Sequence, residues 1–146
     1  MGDNGAVSKL IIDCDPGVDD AVALFLAFAS PELEILGVTT VAGNVGASLT
    51  ARNARLIRQI AGREDVPVIA GAERPLVRAP VEAGHFHGES GLGDLEVFEP
   101  AAPAAEGHAA TFIAQTVMAH PPGSVSLAIT GPMTNVALAM ALEPAL

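Results

Sequence analysis

The sequence predicts an α/β fold: an open, mostly parallel sheet with helices on both faces. Apolar runs of strand length alternate with alanine- and leucine-rich runs of helical length, the pattern of strand–helix–strand units. Half of the 146 residues are apolar, enough for one sizeable core. Two stretches, Asp15 to Ala27 and Thr130 to Leu142, also repeat one order: strand end, Pro/Gly turn, two polar residues, Ala/Leu-rich helix. Both would bring their turns to the carboxyl edge of the sheet, where open α/β sheets bind ligands.

The elements follow in order. Residues 1–8 are polar and read as a disordered N-terminus. Lys9 to Asp15 is an apolar first strand, and Val18 to Ala29 a helix stopped by Ser30-Pro31, since proline disfavours helix in the residue before it. Leu33 to Val41 reads as a second strand ending at Ala42-Gly43-Asn44. Ala47 to Ala61 reads as a second helix, with Leu49, Ala54 and Ile57 facing inward, Arg52, Arg55 and Arg58 mostly on the wet side, and Gly62 as its C-cap. Pro67 to Ala70 is a short third strand. From Gly71 to about Gly107 periodicity is lost, and an irregular segment of that length is usually functional or mobile. Its end, Glu99 to Glu106, reads as a low-complexity spacer. Ala109 to His120 is a helix, Ser124 to Ile129 a fourth strand, and Met133 to Leu142 a further helix.

The chemistry concentrates in Leu10-Ile11-Ile12-Asp13-Cys14-Asp15-Pro16-Gly17-Val18-Asp19-Asp20. Four carboxylates crowd the end of the first strand and the start of the first helix. Alternation puts Asp13 and Asp15 on one face and Cys14 on the other. Pro16-Gly17 turns the chain, and Asp19 and Asp20 fall in the first helical turn, where free N–H groups favour anions. Like charges this close raise one another's pKa unless a cation sits among them. With Cys14 turned to the other face and no His beside the cluster, oxygen ligands suit a hard ion such as Ca²⁺ and disfavour zinc. The plainer alternative is a helix cap at Asp19 and Asp20, with Asp13 and Asp15 facing water.

Composition removes other classes. A formal net charge of −10 argues against binding nucleic acid or an anionic membrane. The longest apolar run, Ala21 to Ala29, is too short to cross a bilayer, and Met1 to Gly5 lacks the regions of a signal peptide, so a cytoplasmic chain is expected. The single Cys14 allows no internal disulfide and fits a reducing compartment. Neither GxGxxG nor GxxxxGK[ST] occurs, which leaves no case for dinucleotide or nucleoside-triphosphate binding.

Asp-x-Asp-Pro-Gly-x-Asp-Asp at the end of a first strand resembles the signature of the nucleoside hydrolases, the inosine-uridine-preferring N-ribohydrolases. Three more blocks fall in that family's order: Thr39 to Asn44, Gly84 to Gly91 with the sequence GHFHGESG, and Thr130 to Asn135. The resemblance implies a Rossmann-like domain of about twice this length. Residues 9–146 then read as the N-terminal part of a single domain.

It further implies hydrolysis of the N-glycosidic bond of ribonucleosides through an oxocarbenium-like state. Asp15, Asp20 and the Thr130 carbonyl would hold Ca²⁺. Asp15 would also take the proton of the attacking water, and Asp19 would bind the ribose hydroxyls. Asn44 and His87 would contact substrate and Asp13 would support the site. The implied partners are a small ribonucleoside and further copies of the chain, as a homodimer or homotetramer.

Open alternatives remain at single residues. Gly43-Asn44 also reads as a plain turn, a loop histidine such as His87 or His85 is often only solvated, and Thr130-Gly131-Pro132 is ordinary strand-to-helix punctuation. Two rival functions are a non-catalytic nucleoside- or ribose-binding module and a haloacid-dehalogenase-like phosphatase. The phosphatase motif wants a small residue and then Thr or Val where this chain has Pro16-Gly17.

Overall fold

A computed structural model describes residues 7–146. Four strands, β1 (Ser8–Cys14), β2 (Leu33–Thr40), β3 (Val68–Ala70) and β4 (Val125–Ile129), form one sheet in the order β3-β2-β1-β4. Every pairing is parallel. The helices are α1 (Val18–Ala29), α2 (Ala47–Ile60), the single turn α3 (Gly84–His87), α4 (Ala109–Met118) and α5 (Thr134–Leu142).

Alternation along β1 decides which helix goes where. Ile12 and Cys14 lie in a core shared with Leu24 and Phe28 of α1 and Ala54 and Ile57 of α2. Ile11, on the opposite face, packs with Ile113 of α4 and Val136 and Ala139 of α5. Both faces of the sheet are therefore dry, so Asp13, on the Ile11 side, is as buried as Cys14. β1 has β2 on one flank and β4 on the other. The strand order reverses there, and the carboxyl ends of β1, β2 and β4 meet at the site expected for a ligand.

The predicted elements are present, with ends shifted by one or two residues. Residues 1–6 lie outside the described residues, and Ser8 already belongs to β1, its N–H donating to Glu32 O at 2.9 Å. The long irregular segment contains α3. Near its end Ala105 bridges to Ile69, and its N–H donates to Val68 O at 2.8 Å. Among the described residues no helix is long and apolar enough to cross a membrane.

The arginines of α2 depart from expectation. Arg58 is buried rather than wet, its guanidinium donating to the carbonyls of Val66, Ala102 and Pro103 at 3.1, 3.3 and 3.5 Å. Arg55 donates to Ala102 O at 3.1 Å and Pro100 O at 3.2 Å and pairs with Glu99. The Pro/Ala-rich stretch from 99 to 103 is thus no loose spacer. It lacks side-chain donors, and the planar fork of arginine reaches several of its carbonyls at once.

Candidate functional site

The end of β1 and the residue after it bring Asp13 and Asp15 to the carboxyl edge in different states. Asp13 is completely buried. Its Oδ1 accepts from Thr39 Oγ1 at 2.6 Å and Asn135 Nδ2 at 2.8 Å, while its Oδ2 is enclosed with no partner. Burial pushes the Asp13 carboxyl above the ordinary 3.8, and the hydrogen bonds from Asn135 and Thr39 only partly oppose it. The turn after β4 closes over this strand end, with the N–H groups of Thr130 and Gly131 both donating to Asp13 O at 2.9 and 3.2 Å.

Asp15 follows β1 and is pressed between two other turns. Its Oδ2 accepts from the Asn44 N–H at 2.7 Å, and Asn44 Nδ2 donates to the Asp15 carbonyl at 3.0 Å. A Cβ on Gly43 would lie 2.0 Å from Asp15 Oδ2, and one on Gly131 would lie 3.0 Å from Oδ1. Glycine at both places is what lets two backbones flank one carboxylate. Burial raises the Asp15 pKa from 3.8 to about 6; the Asn44 N–H pulls it down, and the Asp20 charge raises it further.

The first turn of α1 carries the other two aspartates. Asp20 is buried and Asp19 exposed. The charges of Asp20, Asp13 and Asp15 also reach Cys14, whose thiol is held far above its usual range, first by burial and then by these carboxylates. That rules Cys14 out as a thiolate nucleophile. Among the described residues no arginine or lysine forms an ion pair with Asp13, Asp15, Asp19 or Asp20.

His87, in α3, reaches the same turn. Its Nδ1 accepts the Val18 N–H at 3.3 Å at the start of α1 and lies 4.0 Å from Asp19 Oδ1. With Nδ1 taken up as an acceptor, Nε2 is the ring nitrogen left to donate, and the Asp19 contact is too long for a hydrogen bond. His85 instead is exposed and rests on the Phe86 ring with centroids 4.2 Å apart. Of the two loop histidines, the fold brings only His87 to the aspartates.

The donor set fits a hard cation. It consists of oxygen, the carboxylates of Asp15 and Asp20 with the backbone of the turn at Thr130, while Asp13 Oδ2 stays enclosed without a partner behind them. Among the described residues, however, no three carboxylate, imidazole or thiol groups converge on one point. A hard cation placed here would need backbone carbonyls and water beside these side chains.

Thr39 and Asn53 escape sequence reasoning as parts of the site, and Asn135 figures there only beside Thr130 at the strand-to-helix turn. Thr39 and Asn135 lie inside recognised blocks, yet their hydrogen bonds to Asp13 depend on strand register and on α5 docking. Asn53 of α2 is fully buried and donates to Pro16 O at 3.1 Å. Nothing in its helical spacing marks it.

The model of the family described as inosine-uridine preferring nucleoside hydrolase matches residues 10–146. The chain is 48% identical over 142 residues to the inosine-uridine preferring nucleoside hydrolase of Crithidia fasciculata, covering 93% of this chain and 44% of that protein. It is 46% identical over 137 residues to the pyrimidine-specific ribonucleoside hydrolase RihA of Klebsiella pneumoniae, covering 94% and 44%. Among solved structures, the purine-preferring ribonucleoside hydrolase from Gardnerella vaginalis superposes with a TM-score of 0.88 at 35% identity, covering 94% of this chain and 44% of that one. The chain thus spans less than half the length of these relatives. With a family match running from β1 to Leu146 and the aspartates gathered at the switch point of a parallel sheet, the chain belongs to the inosine-uridine preferring nucleoside hydrolases.

Proposed function

We propose that the complete protein hydrolyses the N-glycosidic bond of ribonucleosides, releasing nucleobase and ribose, and that it does so with Ca²⁺. The observation that carries this reading is Asp15, a carboxylate pressed between two glycine turns with its pKa raised to about 6 and no basic side chain paired to it among the described residues. Family membership supports it and sets the phosphatase alternative aside. The names of the relatives divide between purine and pyrimidine preference.

In this reading Asp15, Asp20 and the Thr130 carbonyl hold the ion. Bound there, Ca²⁺ supplies a Lewis acid that lowers the pKa of the attacking water and a coordination sphere wide enough for a vicinal diol. Asp15 accepts the water's proton as general base. Asp19, exposed beside it, accepts hydrogen bonds from the ribose hydroxyls. Asn44 holds Asp15 from two sides and contacts the substrate, and His87 offers Nε2–H toward the base. Asp13, tied to Thr39 and Asn135, fixes the end of β1. Residues 9–146 then form the N-terminal part of one domain. A homo-oligomeric assembly rests on the family resemblance alone, and a cytoplasmic location also on the buried thiol of Cys14.

The test is ribose release from uridine and inosine by the product of the full reading frame that contains this chain. Release with Ca²⁺ that stops on adding a chelator is expected. Ribose release indifferent to the chelator overturns the calcium requirement, and nucleoside binding without any release overturns the enzyme.

A further inference from the structure

We infer that Asn53 is a positioning residue that latches the segment carrying His87 to the aspartate turn, and so sets how firmly the protein holds a nucleoside. The inference rests on the substrate role proposed for His87. It starts, however, from geometry that is independent of that role.

Asn53 sits on α2, with its side chain fully buried. Its Nδ2 spends both hydrogens across a gap: one goes to Pro16 O at 3.1 Å, the other to Ser90 O at 2.8 Å. Pro16 belongs to the turn between Asp15 and Asp20, and Ser90 lies three residues after His87. Arg52 completes the clamp, donating to Asn53 Oδ1 at 2.9 Å and to Ser90 O at 3.2 Å. Every donor and acceptor of the Asn53 amide is used, and the amide's orientation is fixed by that use.

The backbone of the segment is shaped for this contact. Gly91 has φ +85, and a Cβ there would lie 2.8 Å from Asn53 Nδ2 and 3.3 Å from Pro16 O. Only glycine permits that approach. The same segment also reaches the start of α1, where His87 Nδ1 accepts from the Val18 N–H at 3.3 Å. These two attachments join it to the aspartate turn, the first through a buried amide and the second through the histidine itself. Losing Asn53 leaves the segment to the Arg52–Ser90 bond, the buried Leu92 and the exposed hydrogen bond from Val18 to His87, none of which reaches Pro16. The ring then samples other positions, and its Nε2–H is no longer held toward the bound base. The aspartates, carried by β1 and α1, keep their places through Asn44, Thr39 and Asn135.

The experiment compares the complete protein with its Asn53→Ala and Arg52→Met variants, the second keeping α2 intact should the first fold poorly. Amide hydrogen exchange and steady-state kinetics on uridine and inosine are measured on each. Expected are faster exchange at the amides of His87, Gly91 and Gly93, unchanged protection in β1, and a nucleoside KM raised tenfold or more with kcat reduced less. The Ca²⁺ concentration for half-maximal activity should shift less than twofold. In a His87→Ala background Asn53→Ala should then add little. Unchanged exchange in that segment overturns the latch. A KM effect that persists in full in the His87→Ala background, or a loss of kcat and Ca²⁺ response together, overturns the assigned role and leaves Asn53 as core structure. If the unaltered protein releases no ribose, it is the functional reading that fails, and the exchange data alone decide the latch.

Discussion

Asn135 of α5 and Asp13 of β1, 122 positions apart, meet through a 2.8 Å hydrogen bond from Nδ2 to Oδ1 in a region closed to solvent. The same amide donates to Thr40 O at 3.0 Å, and its Oδ1 accepts from Ala72 N at 2.8 Å. One side chain thus ties β1, β2 and the start of the long segment to α5. Asn135→Ala removes one of the two hydrogen bonds at Asp13 Oδ1 and takes this partner from the Thr40 carbonyl and the Ala72 N–H in the dry interior. Leaving such groups unsatisfied costs about 2–4 kcal/mol in all. Urea unfolding should show the midpoint falling accordingly, with the slope unchanged.

Gly43 tests whether the position of Asp15 matters as much as its presence. Gly43→Ala puts a methyl group where Asp15 Oδ2 now sits, whereas a Cβ on Gly84 would meet nothing within 4 Å. The first variant should lose about a hundredfold or more in kcat/KM, the scale expected when a reacting group shifts by about 1 Å. Gly84→Ala should stay close to the unaltered protein, and comparing the two by ribose release isolates the effect of Asp15 placement.

The raised pKa of Asp15 has a consequence for stability. Its carboxyl titrates at about 6 in the folded protein against 3.8 as its ordinary value. A folded state with the higher pKa holds its proton more tightly, so ionising the group weighs against folding. Without divalent ions, stability should fall as pH rises from about 4 to about 6, and the raised carboxyl of Asp13 acts in the same direction. Saturating Ca²⁺ should reverse the trend by favouring the ionised form. Asp15→Asn should flatten the ion-free profile while lowering ribose release at least about a hundredfold. Thermal melting across pH, with and without chelator, checks the first part.

Arg58 predicts the behaviour of the stretch from 99 to 103. Arg58→Lys keeps the charge but not the fork that spans the carbonyls of Val66, Ala102 and Pro103. Destabilisation of about 1–3 kcal/mol is expected, the range for leaving buried carbonyls unpaired. It should come with faster amide exchange at Ala101 and Ala105, whose N–H groups donate to Gln59 Oε1 and Val68 O.

These residues also mark where the sequence was legible. The parallel sheet follows from alternation, and Asp15 and Asp20 follow from a compact motif, because both depend on neighbours a few positions away. Arg58, Asn53 and Asn135 depend on main-chain carbonyls and a carboxylate that the fold brings from 37 to 122 positions off in Asn53's and Asn135's cases. Helical spacing puts Arg58 on a wet face because it counts charge and direction. The real determinant is a proline- and alanine-rich stretch with carbonyls to satisfy and no side chains to do it. Spacing alone does not tell His87 from His85; the family resemblance favours His87, and the approach of α3 to Val18 brings that ring to the aspartate turn.

The most direct test is calorimetric titration of Ca²⁺ into the complete protein and into its Asp15→Asn, Asp20→Asn and Asp19→Asn variants. Saturable binding that is lost with the first two substitutions and kept with the third is the predicted result. Ca²⁺ binding left intact by both Asp15→Asn and Asp20→Asn contradicts an ion held at the end of β1.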